Sequence, residues 1–389
     1  MNVAQVYNLV NTAATETLGT SAVINEDLSN LVDLGKSFEN AQGLDNFVRS
    51  LCDHIGKVIF DERVYTGRAP SVLMDGWEYG SILEKIRADL PDAMENESWE
   101  LVDGASYDPN VFHKPRVSAK FFNNRTTFEV DASITRRQVK SAFSSAMQMN
   151  GLLSLIRTRV EHKMTMSLDQ LIMRTINTMT AETLYNEYSG GNYSASSGTR
   201  AVNLLYLYNQ TVPAGSALTA AAAILDPAFI RFASYNIKMY MRRMQEMSKL
   251  FNVGGTVKFT PRDRMHIVML DEFATAAEVY LYDARGQFST ENIRLPERME
   301  TVSYWQGSGT GYAFSSTSAI NVKTPDNHTV NAGGILGVIF DRDALGVANL
   351  DRSTEIEYNK KAQFWNEFHK MEAGYFGDLD ENFVVFFVA

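Results

Sequence analysis

Apolar positions recur at helical spacing in several stretches of this chain, and at its end they stop alternating altogether. In LDNFVRSLCDHIGKVIF (44–60), Leu44, Phe47, Val48, Leu51, Cys52, Ile55 and Val58 fall three or four apart. That spacing predicts a helix with one buried face and makes Cys52 a small core residue. Residues 1–43 before it are polar and weakly amphipathic, and read as an extended or loosely helical arm. From about Phe60 to Asp131 helical spacing gives way to short strands, GSILEKIRADL, ESWELV and PRVSAKFFNNRTTFEVD, broken by Pro91, Pro109 and Pro115. This excursion has too few apolar residues for a core of its own and must lie on something else. Between 152 and 188 the stripe Leu153, Ile156, Val160, Met164, Leu168, Leu171, Ile172, Ile176, Met179 runs on. It predicts a helix of about nine turns, roughly 50 Å long. The stripe drifts instead of keeping a seven-residue seam, which favours a long surface helix over a coiled coil.

Beyond the loop SGGNYSASSGTR (189–200), Asp226 is placed to cap a helix with Pro227 at its first position, where a missing N–H costs nothing. MHIVML reads as a buried strand, and Asp271 as the cap of the helix EFATAAEVYLY. The last quarter alternates strands and turns and ends on Phe383, Val384, Val385, Phe386, Phe387 and Val388. An unbroken apolar run of that length predicts a strand buried on both faces. No internal repeat is visible.

Composition narrows the function. The 389 residues are 45% hydrophobic and 21% charged, with a formal net charge of -10. An acidic surface repels phosphate backbones, which argues against gripping DNA or RNA but not against surrounding it. Cys52 is the only cysteine, so no internal disulfide can form, and a reducing compartment fits. The N-terminus lacks the basic and apolar segments of a signal peptide, and no apolar run approaches the ~20 residues of a spanning helix. The glycosylation triplets at Asn96, Asn124, Asn192, Asn209 and Asn327 are then chance matches.

The catalytic signals are weaker than their structural readings. GSGTG (Gly307 to Gly311) lacks the Lys-Ser/Thr of a phosphate loop. DRDALGVANLDR opens like a calcium loop at Asp341 and Asp343, but Leu345 and Arg352 stand where oxygen ligands belong, so both aspartates read as turn residues. The histidines at 54, 113, 162, 266, 328 and 369 show no metal-ligand spacing. Arg136 and Arg137 in TRRQVK, and RTRVEHK, look basic locally, but Glu161, Asp169, Glu182 and Glu187 balance the long helix, which suits a solvated or partner-facing helix surface better than a nucleic-acid stripe. Trp77, Trp99, Phe121 and Phe122 are the aromatics of the strand-rich excursion; core packing accounts for some of them, and contacts with another chain suit an extended limb at least as well. No catalytic, cofactor or metal site is expected.

The order of arm, strand excursion, long helix, mixed domain and returning strands resembles the major capsid protein of tailed bacteriophages. GILGVIFDRDALGVANL, the long STEIEYNKKAQFWNEFHKME segment, the terminal FVVFFVA and TPRDRMHIVMLDEFATAAEVY carry the likeness. The resemblance implies an α+β fold of the Hong Kong ninety-seven type, nearest to the heads of short-tailed phages. It would comprise an N-terminal arm (1–58), an E-loop hairpin (59–131), a P domain (132–225) with its spine helix (152–188), an A domain (226–335) and returning strands (336–389).

It further implies hexamers and pentamers closing into an icosahedral shell around double-stranded DNA, held without sequence-specific binding and without a membrane. The short arm lacks heptads, so a separate scaffolding protein is expected, together with a portal. The particle would be a virion assembled in the host bacterial cytoplasm. The alternatives are an encapsulin-like compartment holding cargo and, more remotely, a metal-dependent hydrolase. Inter-subunit contacts are expected at Trp77, Trp99, Phe121, Phe122, Arg136 and Arg137.

Overall fold

A computed structural model describes residues 3–18, 45–51, 69–74, 83–88, 98, 100–107, 110, 112, 114, 117–144, 146–189, 192–213, 215–282, 299–305 and 319–389. Trp77, Trp99, Cys52 and the Gly307 to Gly311 turn lie outside these residues. In chain order the strands are β1 (Leu73–Met74), β2 (Leu83–Ala88), β3 (Val117–Phe122), β4 (Arg125–Thr135) and β5 (Ala201–Asn203). They continue with β6 (Met265–Leu270), β7 (Glu300–Val302), β8 (Ile320–Lys323) and β9 (Thr329–Ala332). The last are β10 (Ile335–Asp341), β11 (Leu345–Asn359), β12 (Phe364–Gly377) and β13 (Phe383–Phe387).

Two sheets organise the molecule, one ordered β1-β11-β12-β4 and the other β5-β13-β10-β6-β7. The terminal apolar run is β13, buried along its whole length between β5 and β10, as its unbroken hydrophobicity predicts. β10 and β11 are nearly continuous in sequence yet belong to different sheets, and so do β12 and β13. Besides the long helical connection from β4 to β5, the chain thus passes directly from strand to strand between the sheets at Arg342 to Ala344 and at Asp378 to Asn382. The crossings lie side by side: the Asp378 N–H donates to Ala344 O at 2.7 Å, and the Asp341 N–H to Asn382 O at 3.0 Å.

A helix of 43 residues, Ala146–Tyr188, contacts strands of both sheets. At 1.5 Å per residue it spans about 65 Å. It starts six residues earlier than the periodicity predicts, and its second half is not a surface helix. From Leu171 to Leu184 almost every side chain is covered, including Thr175, Thr180 and Thr183. Their hydroxyls donate to the carbonyls of Leu171, Ile176 and Met179 one turn back, so these three threonines are buried with their hydroxyl protons satisfied. The arm also differs from expectation. Val3–Leu18 is a regular helix whose Val10, Ala13 and Ala14 are buried against the long helix.

The residue Asp226 caps Pro227–Arg243 by accepting from the Phe229 N–H at 2.8 Å. Asp271 is the first residue of its helix, and its carboxylate accepts from the Ser303 hydroxyl at 2.7 Å. The strand-rich excursion is shorter than expected: β4 pairs along its length with β12 inside the first sheet. Among the described residues of the excursion, β2 and β3 form a separate two-stranded hairpin, joined to β4 through Asn123 and Asn124.

Candidate functional site: a two-faced hairpin and its acidic seat

In the β2–β3 hairpin, Leu83 lies opposite Phe122, Lys85 opposite Lys120 and Arg87 opposite Ser118. Since side chains alternate along a strand, these share one face, and Glu84, Ile86, Val117, Ala119 and Phe121 share the other. The first face turns toward its own chain. Phe122 packs on Phe376 with ring centroids 5.2 Å apart, and Leu83 joins the same small cluster with Met74 and Leu350.

Beyond that contact the face is cationic and meets the turn Asp378 to Glu381, where the chain crosses between sheets. Lys85 Nζ lies 2.8 Å from Asp378 Oδ2 and 2.5 Å from Glu381 Oε1. Lys120 Nζ lies 2.9 Å from Asp378 Oδ1 and also pairs with Asp380, which holds Arg87 Nη1 at 3.0 Å. Lys85 donates as well to Asp343 O on the other crossing, at 3.3 Å.

Asp378 and Glu381 are almost fully buried, so the pairs are poorly screened. Burial works to raise the Asp378 carboxyl, but hydrogen bonds from Lys85 and Lys120 outweigh it and hold the group below the usual carboxylate range. Burial likewise disfavours charge on Lys85 and Lys120, and the carboxylates overcome it, raising both amines.

The seat is also braced from the side. Lys258 Nζ reaches Glu381 Oε1 at 2.8 Å, the Gly254 N–H donates to Leu379 O at 2.9 Å, and the Thr256 hydroxyl donates to Asp380 O at 2.8 Å. Gly254 is required by this approach, since a Cβ there would fall 1.7 Å from Asp380 Oδ1.

The opposite face of the hairpin is apolar and uncovered: Ile86 is 68% exposed, and Val117 and Phe121 are each 62% exposed. Leu101, Val102 and Phe112, in the stretch between the two strands, are exposed too. The excursion does lie on something else, and that support is its own chain on the charged face. Phe121 and Phe122 are neighbours in sequence and point to opposite sides.

Arg136 and Arg137 open the helix Arg136–Ala142, which starts at a capping box between Thr135 and Gln138. Arg137 is exposed, whereas Arg136 is half-buried, and its Nε has no hydrogen-bond partner among the described residues. The acidic seat was missed by the sequence reading. Its signal was the run Asp378, Asp380, Glu381 in a turn joining two apolar strands.

Other polar groups have structural partners. Asp341 Oδ1 accepts from the Asp343 N–H at 3.0 Å, and both carboxylates pair with Arg264, as turn residues would. His369 and Glu367 are fully buried and 3.2 Å apart, and His328 stacks on Tyr185. A groove of about 1030 Å³ beside the long helix is lined by Asn177, Glu182, Tyr304, Trp305, Asp326 and Tyr375, among others. Among the described residues no group of three or more His, Cys, Asp or Glu is placed to hold a metal ion. None of the described helices is long and apolar enough to cross a membrane.

The sequence model of the Phi29-like phage major capsid protein family matches residues 8–387. No curated protein matches the chain in sequence. Among solved structures, the capsid structure of Staphylococcus phage Andhra is similar, with a TM-score of 0.51 at 11% identity, covering 84% of this chain and 86% of that one. A chain of Mycobacterium phage Che8 has a TM-score of 0.42 at 10% identity, covering 83% of this chain and 93% of its own. The likeness to the first is one of fold, and the fold is the Hong Kong ninety-seven type of α+β capsid subunit. Neither an encapsulin compartment nor a hydrolase finds support in these matches.

Proposed function

Since this chain belongs to the Phi29-like phage major capsid protein family and forms the shell of a phage capsid, we propose that its copies join through the outer face of the β2–β3 hairpin. The observation that carries this reading is the hairpin's inverted polarity. Its cations are taken up by its own chain, and its apolar residues Ile86, Val117 and Phe121 are left in water. Burying such a side chain contributes roughly 1.5–3 kcal/mol, and in a closed shell each copy contributes it again. The copies assemble as hexamers and pentamers of an icosahedral shell that encloses double-stranded DNA. The net charge of -10 suits a container that does not adhere to its contents.

Phe121 and the aromatics Trp77 and Trp99 of the same excursion contact the neighbouring copy, while Phe122 supports the hairpin from within. Arg136 and Arg137 meet acidic groups of a neighbour. The subunit does no catalysis. A separate scaffolding protein and a portal take part in assembly in the host bacterial cytoplasm.

Phe121→Lys tests the reading. The variant should remain soluble and melt like the native subunit, because the position is mostly exposed and the new cation faces Glu84 across the strands. It should fail to sediment as closed particles, and electron micrographs should show none. Normal shells from Phe121→Lys would overturn the reading.

A further inference from the structure

We infer that the acidic crossover turn Asp378 to Glu381 is the positioning element of the shell contact: it sets the direction in which the hairpin presents its apolar face. The inference rests on the hairpin being the inter-subunit contact proposed above, and adds what aims it. A lone two-stranded hairpin is marginal in water, so something beyond its own ladder must hold it. Among the described residues its apolar support is a small cluster around Phe376, at the end nearest β4. Farther out along the strands, every inward side chain from Lys85 to Arg87 on β2, and Lys120 on β3, is held by the turn's three carboxylates.

The seat's location gives it further meaning. The turn is one of the two short strand-to-strand crossings between the sheets, and Lys85 spans both, bonding Asp378 and Glu381 on one and the carbonyl of Asp343 on the other. Lys258 and Thr256 bind the same turn from the segment that follows the helix Pro227–Arg243. The hairpin thus takes its direction from the junction of the two sheets and not from either sheet alone. A change in the angle between the sheets would carry the hairpin with it. Fixed geometry of this kind lets a contact residue arrive already oriented, which lowers the ordering cost of each contact.

The test uses the full-length chain. Lys120 is 43% exposed at its side chain, so Lys120→Glu should fold. It places a like charge beside Asp378 and Asp380. In the unassembled subunit, amide hydrogen exchange across 83–88 and 117–122 should speed up about tenfold or more, as expected on loss of charge-assisted bonds. Closed particles should be lost under native assembly conditions. Lys120→Arg, which keeps the charge, should retain both slow exchange and shells. If Lys120→Glu is insoluble, Asp380→Asn serves the same purpose at a partly exposed position.

Native exchange rates in these variants would overturn the inference, and so would faster exchange with an undiminished yield of shells. Phe121→Lys separates the two ideas. Its ammonium faces Glu84 across the strands, so it should abolish shells without speeding hairpin exchange. If Phe121→Lys assembles, the contact itself is misplaced; if only the seat variants assemble, the contact stands and its aiming does not.

Discussion

Gly333 and Gly334 lead into β10 side by side, and substitution by alanine should separate them sharply. Gly334 has φ of 72°, a region where an L-residue costs about 1–2 kcal/mol. A Cβ built there would lie 1.8 Å from the carbonyl oxygen of Val388, far inside contact distance. To relieve that overlap the end of β13 must withdraw, and the bond from the Val388 N–H to Gly334 O, now 2.8 Å, is lost. Such a bond contributes about 0.5–1.5 kcal/mol. Val388 is 2% exposed, so withdrawal also uncovers apolar surface.

Gly334→Ala should therefore cost about 2–4 kcal/mol, a large share of the 5–15 kcal/mol typical of a folded domain. At Gly333 a Cβ would meet nothing within 4 Å, and Gly333→Ala should stay within about 0.5 kcal/mol of the native chain. Urea denaturation of the two unassembled variants, followed by circular dichroism, measures the difference. Equal midpoints for the two would refute the claimed closeness of β13 to this turn.

Leu168, 1% exposed on the long helix, should not tolerate charge. Leu168→Asp should cost several kcal/mol and leave the subunit insoluble, which a soluble-fraction assay reads directly. Glu182 is the opposite case: burial, with Asp326 nearby, raises its carboxyl above the usual value of 4.5. A group with a raised folded value adds stability below the unfolded value and loses it as pH rises through the folded one. Glu182→Gln should thus raise the unfolding midpoint at pH 7, and the gain should fade as the pH falls toward about 4. No gain at pH 7 would count against the burial argument.

Much of the fold could be read from residue patterns, and the failures share a cause. The β13 run, the Asp226 cap and the strand Met265–Leu270 were legible because apolar runs and caps act locally. The N-terminal helix and the buried half of the long helix were misjudged because threonine looks polar in sequence. The half-buried Thr15 and Thr17 donate to the carbonyls of Asn11 and Ala13, as Thr175, Thr180 and Thr183 do to theirs farther on. A hydroxyl satisfied within its own helix no longer marks a surface position.

The candidate site failed for a different reason. Alternation shows that Phe121 and Phe122 lie on opposite faces, but the usual rule of apolar side inward fails on a strand pair whose inner face is charged. Only the position of Asp378, Asp380 and Glu381 in space decides which face is inside, and those residues lie far away in sequence.

The placement of β13 has a kinetic consequence. Val385 pairs with Ala201 on one side and Val338 on the other, and in the first sheet Phe364 pairs with Thr135. Both sheets are therefore completed by partners distant in the chain, and long loops must close before the most apolar strands are covered. Until β13 arrives, β10 offers the bare edge of ILGVIFD to any similar edge nearby. Insertion of β13 is a first-order event, indifferent to concentration, whereas edge-to-edge pairing between unfinished chains is second-order and accelerates with it. A protein made in the many copies a shell requires is thus in a race set by its own topology. Slowing synthesis, more than slowing assembly, is what should raise the fraction of chains that finish folding.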